Sequence, residues 1–222
     1  MRTDRALERG TPLSFDALEK GAILFVTNNG NTEDLYRGLS EREPKVYRIE
    51  NKLTPEAMEQ MAPSFIISFN YRHMIPEEVL RRMPGRVINL HTSLLPYNRG
   101  SSPNFFSFLC DTPKGVTIHL VDRGLDTGDI LCQREISFDE EKETFASSYD
   151  RLLLEVKELF RENWEKIKRG DVVPRRQEGE GSFHRMRELT AIREQMPFTW
   201  FETVANFKRR YREAEAGKGV QA

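Results

Sequence analysis

"VINLHTSLLPYNRG", Val87 to Gly100, opens as an apolar run with strand character. It then sets an Asn and a His two residues apart and leaves in a loop of Pro, Asn, Arg and Gly. Successive side chains of a strand point to opposite faces, so Asn89 and His91 project together and Leu90 the other way. In a parallel sheet the pair would sit at a strand's carboxyl end, where open α/β sheets build their sites. Taken alone, the pair reads equally well as a structural cap on the loop that follows.

The flanking sequence supplies the sheet. "AILFVT" (Ala22–Thr27) is an apolar run that stops at "NNGN" and gives way to a helical pattern carrying Leu35, Tyr36 and Leu39. "KVYRI" (Lys45–Ile49) is a second strand. "LTPEAMEQMA" has Thr54 as N-cap and Pro55 in the first helical position. "FIISFN" (Phe65–Asn70) is a third strand, apolar enough to be covered on both faces. Pro76 opens a helix in "IPEEVLRRM", and "SPNFFSFLC" restarts one at Pro103. "GVTIHLV" (Gly115–Val121) and "ILCQREI" (Ile130–Ile136) are strands joined by a Gly- and Asp-rich loop. The alternation predicts an α/β fold: a right-handed, mostly parallel, doubly wound sheet with helices on both faces. The last two strands, joined without a helix, predict an antiparallel edge or a reversal.

From Thr144 the apolar residues at 145, 149, 152, 153, 156, 159, 160, 164 and 167 mark one face of a long helix, with Gly170 as its stop. "QEGEGSFHRMREL" reads as an irregular polar segment. "FTWFETVANFKRRYREAEAG" reads as a terminal helix with aromatic anchors, and "GKGVQA" is expected to fray.

Bulk properties exclude several classes. The 222 residues suffice for one large domain or a domain with an appendage. With 34 basic and 35 acidic residues the net charge is -1, which offers no general footprint for nucleic acid. "MRTDRALERG" has no apolar core, so no signal peptide is expected, and no apolar run approaches the roughly 18 residues of a membrane helix. Cys110 and Cys132 lack metal-type spacing and read as buried thiols of a reducing cytoplasm.

A second cluster bears on the first. "VDRGLDTGDI" (Val121–Ile130) packs three acids and two glycines into the loop between two strands. A solvated acidic turn is one reading. A calcium loop fits poorly, because the D-x-[DN]-x-[DN]-G pattern with a Glu at the twelfth position is absent. A carboxylate brought near His91 would raise its pKa and fix its tautomer. Asn, His and Asp on one cleft would combine a neutral donor, an imidazole and an acid.

"NLHTSLLPYNRGSSP" followed by "KGVTIHLVDRGLDTGDI" resembles the signature of the folate-dependent formyltransferases, a likeness that runs from about Ala22 to Ile136. The resemblance implies a Rossmann-like catalytic domain at 1–140, a helical extension at 141–222 with the capacity to form a dimer, and N10-formyltetrahydrofolate as co-substrate without a metal. It places the catalytic Asn on Asn89, the His on His91 and the Asp on Asp126. Thr92 departs from relatives with Pro or Gly there, which puts the shape of the turn in doubt. "FNYRHMIP" resembles the pterin-binding segment, which carries folate contacts onto Tyr71, His73, Met74 and Ile75. The acidic loop adds Val121, Asp122, Gly124 and Leu125. Plain core packing is the other reading of Met74 and Ile75, and a surface role that of His73.

The residue types suit acyl transfer to an amine. N–H groups of Asn89 and His91 can stabilise the oxyanion of a tetrahedral intermediate, and Asp126 can accept the proton of the attacking nitrogen directly or through a water. For the acceptor, "LLPYNRGSSPNFFSFLCDTPKGVTIH" and the tail "QEGEGSFHRMREL" look most like the sugar N-formyltransferases. That likeness implies a nucleotide-linked amino sugar as substrate, a role in surface polysaccharide synthesis, a cytoplasmic homodimer, and neither nucleic acid nor membrane as partner. It makes Asn98, Arg99, Pro103 and Asn104 candidates for the sugar site, with Arg99 open to a purely structural role. The helical character after Ile136 argues against the β-barrel that grips tRNA in methionyl-tRNA formyltransferases. Glycinamide ribonucleotide is the alternative acceptor, since "VTNNGNTEDL" looks partly like a phosphate loop, though Asn also serves as an ordinary turn residue. A folate- or nucleotide-binding module without catalysis is the alternative of another class.

Overall fold

Ile23–Val26, four consecutive buried apolar residues, form β1 in the computed structural model, which describes residues 19–219. "MRTDRALERG" and residues 220–222 lie outside the described residues. The chain divides into two compact units, residues 1–86 and 87–222.

In the first unit β1 is followed by a short turn of 3-10 helix, then α1 (Glu33–Arg42), β2 (Val46–Ile49), α2 (Pro55–Met61), β3 (Phe65–Phe69) and α3 (Glu77–Arg82). β1 lies between β2 and β3 and runs parallel to both, with Ile23 opposite Val46 and Phe65. β3 is buried at all five positions, as a strand covered on both faces must be. It ends one residue before the sequence suggests because Asn70 turns left-handed, φ 52°. The Thr54 hydroxyl caps α2 by accepting from the Ala57 N–H at 3.2 Å. Pro76 caps α3 from outside rather than standing as its first residue.

The second unit contains β4 (Val87–His91), β5 (Arg99–Gly100), α4 (Pro103–Leu109), β6 (Gly115–Leu120), β7 (Ile130–Glu135), α5 (Phe145–Arg169), β8 (Phe183–His184), α6 (Met186–Gln195) and α7 (Val204–Gly219). β6 runs antiparallel to β4 and β7 antiparallel to β6, the reversal expected of two strands joined without a helix. α5 packs on β4, β6 and β7. Its ends match the sequence reading: Thr144 and Ser147 form a capping box, and Gly170 closes the helix at φ 79°. The core beside α5 is aromatic, with Phe105, Phe108, Phe145, Phe198 and Phe207 packed together.

Three expectations need correction. "QEGEGSFHRMREL" is not irregular throughout: β8 pairs parallel with β5, and α6 starts at Met186 with the Glu188 carboxylate accepting from the Arg185 N–H. The terminal helix starts only at Val204, leaving Phe198 and Trp200 as anchors that precede it, and it continues through Gly219 instead of fraying at Gly217. The thiols are not buried. Cys110 is exposed because it follows the last residue of α4, and Cys132 is half-buried because β7 is the outer strand of its hairpin. Among the described residues no helix is long and apolar enough to cross a membrane.

Candidate active site

The β4–β6 register decides which side chains meet. Asn89 lies opposite His119, and His91 opposite Thr117. Asn89 and His119 therefore share a face, and the loop after β6 brings Asp126 onto them. Asp126 is the point of convergence. Its Oδ1 accepts from the Asn89 amide at 3.2 Å and lies 3.5 Å from His119 Nε2. Its Oδ2 accepts from the Gly100 N–H at 2.9 Å and lies 3.7 Å from His91 Nδ1.

The loop that aims Asp126 is built by its other residues. Asp122 Oδ1 accepts from the Gly124 N–H at 3.0 Å and from the Thr127 hydroxyl at 2.6 Å. A Cβ on Gly128 would overlap the Leu120 carbonyl, so that position requires glycine. Asp126 itself holds φ 56°, a left-handed conformation that Asp tolerates better than most residues. Two of the three acids of "VDRGLDTGDI" thus divide the work: Asp122 shapes the loop and Asp126 serves the cluster.

Hydrogen-bond partners define the proton positions. A carbonyl only accepts, so His91 Nε2, 3.3 Å from the Asn98 carbonyl, carries a proton, and so does His119 Nδ1, 2.8 Å from the Leu120 carbonyl. The Asn89 amide nitrogen lies 3.2 Å from His119 Nε2. Burial lowers the pKa of His91, against the pull of the Asp126 charge. Burial works against the Asp126 carboxylate too, but His91, His119 and the Gly100 N–H outweigh it and hold that carboxyl far below the usual range. The cluster is a buried anion surrounded by imidazoles and amide donors.

The expected sugar-site residues separate. Asn98 is fully buried; its side chain donates to the Thr112 hydroxyl at 2.8 Å and accepts from the Ser182 hydroxyl at 3.4 Å. Asn104 is buried in α4 and donates to the Phe145 carbonyl and the Ser148 hydroxyl, both at 3.0 Å. The Asn98 side chain and the Asn104 amide nitrogen are thus occupied inside the unit, while Asn104 Oδ1 is buried without a hydrogen-bond partner. Pro103 is the first residue of α4. The Arg99 guanidinium donates to Gln177 Oε1 through Nε at 3.0 Å and Nη2 at 2.9 Å. Thr92, where the sequence departs from some relatives, is buried.

Of the expected folate residues in the second unit, Val121 donates to the Val87 carbonyl at 2.9 Å, and Leu125 is exposed. In the first unit the Tyr71 hydroxyl donates to the Asn51 carbonyl at 2.6 Å and accepts from the Leu53 N–H at 3.1 Å. The His73 ring meets Tyr71 edge-on, Ile75 is buried, and Met74 is 56% exposed. His119 is not singled out by the motifs, and its only signal in the sequence is a His inside the apolar run "GVTIHLV". Gln177, in the tail, also escaped. Among the described residues no group of three His, Cys, Asp or Glu side chains is placed to hold a metal ion.

Residues 16–162 match a family model described as formyl transferase. A methionyl-tRNA formyltransferase of Caldanaerobacter subterraneus is 29% identical over 178 residues, 80% of this chain and 53% of its own length. This chain spans about half the length of the curated relatives it matches. Among solved structures, the formyltransferase PseJ from Anoxybacillus kamchatkensis, in complex with UDP-4,6-dideoxy-4-formamido-L-AltNAc and tetrahydrofolate, is 36% identical. It aligns with a TM-score of 0.77 over 83% of this chain and 96% of its own. A candidate sugar N-formyltransferase from Mycobacterium tuberculosis is 27% identical, with a TM-score of 0.69 over 78% of each chain.

Proposed function

The chain belongs to the formyl transferase family, and on that premise we propose that it carries a formyl group from N10-formyltetrahydrofolate to the amino group of a nucleotide-linked amino sugar. One observation carries the acceptor: the likeness to PseJ, a sugar-nucleotide and tetrahydrofolate complex, extends over 96% of that protein.

Bound folate supplies the formyl group, and the chain's residues supply position and charge. The proposed oxyanion donors are the Asn89 amide and His91. Their N–H groups are now engaged with Asp126, His119 and the Asn98 carbonyl. Donating to a formyl oxygen means exchanging one of those partners. Losing either donor would raise the barrier by about 3 kcal/mol. Asp126 remains ionised beside the attacking nitrogen and stabilises the positive charge that develops there. The amine proton passes to this carboxylate, directly or through a water, and on to N10 of the folate as the bond between that nitrogen and the formyl carbon breaks, so that tetrahydrofolate leaves and Asp126 is ionised again; the same group holds His91 in place. In the first unit Tyr71, His73, Met74 and Ile75 are the proposed folate residues, and the exposed apolar side chain of Met74 suits that work; in the second unit the Val121–Leu125 loop is proposed for the same ligand, with Leu125 exposed. Asn98 and Asn104 would shape the acceptor side from within, leaving Arg99 as the charged group nearest to it in sequence. We assign catalysis to residues 1–140 and treat 141–222 as a helical extension, in a cytoplasmic homodimer that serves surface polysaccharide synthesis.

Methionyl-tRNA is the second reading, favoured by the curated relatives at 29% to 39% identity. The experiment supplies N10-formyltetrahydrofolate with UDP-, dTDP- or GDP-linked amino sugars, methionyl-tRNA or glycinamide ribonucleotide. Tetrahydrofolate release is expected with an amino sugar nucleotide. Release only with tRNA or the ribonucleotide would move the acceptor, and release with none would refute formyl transfer to these amines.

A further inference from the structure

Gln177 makes four bonds that the chemistry above does not use. Its Nε2 donates to the carbonyls of both Asp126 and Gly128, each at 2.8 Å. Its Oε1 receives the two N–H groups of Arg99. The amide is therefore filled on both ends, and its partners belong to the two segments around the catalytic carboxylate.

The chain on either side of Gln177 is fastened to the same two segments. Upstream, Arg175 and Ile130 exchange backbone hydrogen bonds at 2.7 and 2.9 Å, where the acid loop enters β7. Downstream, the Arg99 N–H donates to the Ser182 carbonyl and the Ser101 N–H to the His184 carbonyl, both at 2.9 Å. The Asn98 N–H donates to the Ser182 hydroxyl at 2.7 Å. Gly181 allows this approach, since a Cβ there would collide with the Pro96 carbonyl. The segment 175–184 is thus a strap across the acid loop and the 98–101 loop. The second of these holds the Asn98 carbonyl against His91 Nε2 and the Gly100 N–H against Asp126 Oδ2.

Resting on the formyl-transfer reading, we propose that Gln177 is a positioning residue for Asp126. Its two donated bonds hold the left-handed backbone on which the carboxylate stands, and its accepted bonds tie that backbone to the loop carrying the Gly100 N–H. The task requires two donors and an acceptor in one uncharged group. Glu offers only the acceptor, Leu offers neither, and Asn is one methylene too short.

The test uses the full chain with Gln177→Glu and Gln177→Leu. kcat for formyl transfer is expected to fall roughly ten- to hundredfold in both, the scale of a misplacement of about 1 Å. KM for N10-formyltetrahydrofolate should stay within about twofold. The Gly100 amide reports the carboxylate directly, and its hydrogen exchange, followed by NMR, should quicken at least about tenfold. Gln177→Glu keeps a partner for Arg99, so it separates the donated bonds from the accepted ones and remains available if Gln177→Leu does not fold. Wild-type kcat in Gln177→Glu, or unaltered Gly100 exchange in the folded variants, would overturn the assignment. If the wild-type chain transfers no formyl group, the functional reading fails, while Gly100 exchange still decides the role of Gln177.

Discussion

Two polar strand ends look alike on paper and differ in what their side chains bond. After β1, the Asn28 amide donates to the Glu50 carbonyl, and its oxygen accepts from the Arg72 N–H. Asn29 accepts from the Asn31 N–H, and Asn31 accepts from the Asn70 amide. Those amides serve a turn. After β4 and β6, Asn89, His91 and His119 surround one another and Asp126 instead of bonding only to main chain. A strand end becomes a reactive site when its polar groups converge on an ionisable one. An amide spent on a carbonyl has only a stability effect to lose.

The sharpest break of that comparison is Asp126→Asn. It keeps the shape but removes the charge that Asn89, His91, His119 and the Gly100 N–H address. Single-turnover formyl transfer should slow by about a thousandfold, within the range of a lost acid–base group. Retained turnover would place the chemistry elsewhere. His91→Asn comes next. Loss of one oxyanion donor should lower kcat about a hundred- to thousandfold while folate still binds, as read by tetrahydrofolate release and by fluorescence titration. Survival of activity would reduce His91 to a structural neighbour of Asn98.

Much of this was legible from spacing alone. Period two placed Asn89 and His91 on one face, and Thr144, Pro55 and Gly170 marked helix ends through local chemistry that needs no tertiary contact. His119 was harder. Its partnership with Asn89 depends on the antiparallel register of β4 and β6, which neither strand encodes by itself. Asn98 and Asn104 look like surface polar residues in sequence. Only the packing of α4 on α5 and the placement of the strap reveal their side chains to be buried and bonded. Gln177 was least legible, because the partners of its Nε2 are main-chain carbonyls, which every residue has, and Oε1 takes the guanidinium of an Arg far away in the sequence.

The charges of the cluster sharpen the comparison through pH. Burial lowers the His91 pKa, so the imidazole stays neutral to a pH below the ordinary imidazole value. The acid limb of kcat/KM should therefore lie below the ordinary imidazole value of about 6.5. A limb above that value would show an imidazolium at work. Asp126 has a depressed folded pKa. Its contribution to stability is fully present above the unfolded value of about 3.9 and is lost as pH falls below it. Urea denaturation from pH 7 to pH 3 should show the wild type losing stability relative to Asp126→Asn at the acid end. A constant difference across that range would mean that Asp126 gains nothing from its partners on folding.

The smallest effect belongs to the other strand end. Asn29→Ala removes the side-chain oxygen that accepts from the Asn31 N–H at 3.2 Å and caps the turn before α1. The expected cost is about 1 kcal/mol of stability, as for an ordinary cap. Because that amide is spent on main chain, kcat and both KM values should stay within about twofold of the wild type. A rise of tenfold or more in KM for the sugar nucleotide would change the comparison itself. It would show that "NNGN" meets the substrate and that its bonds in the structure are exchanged on binding, as those of Asn89 and His91 are proposed to be.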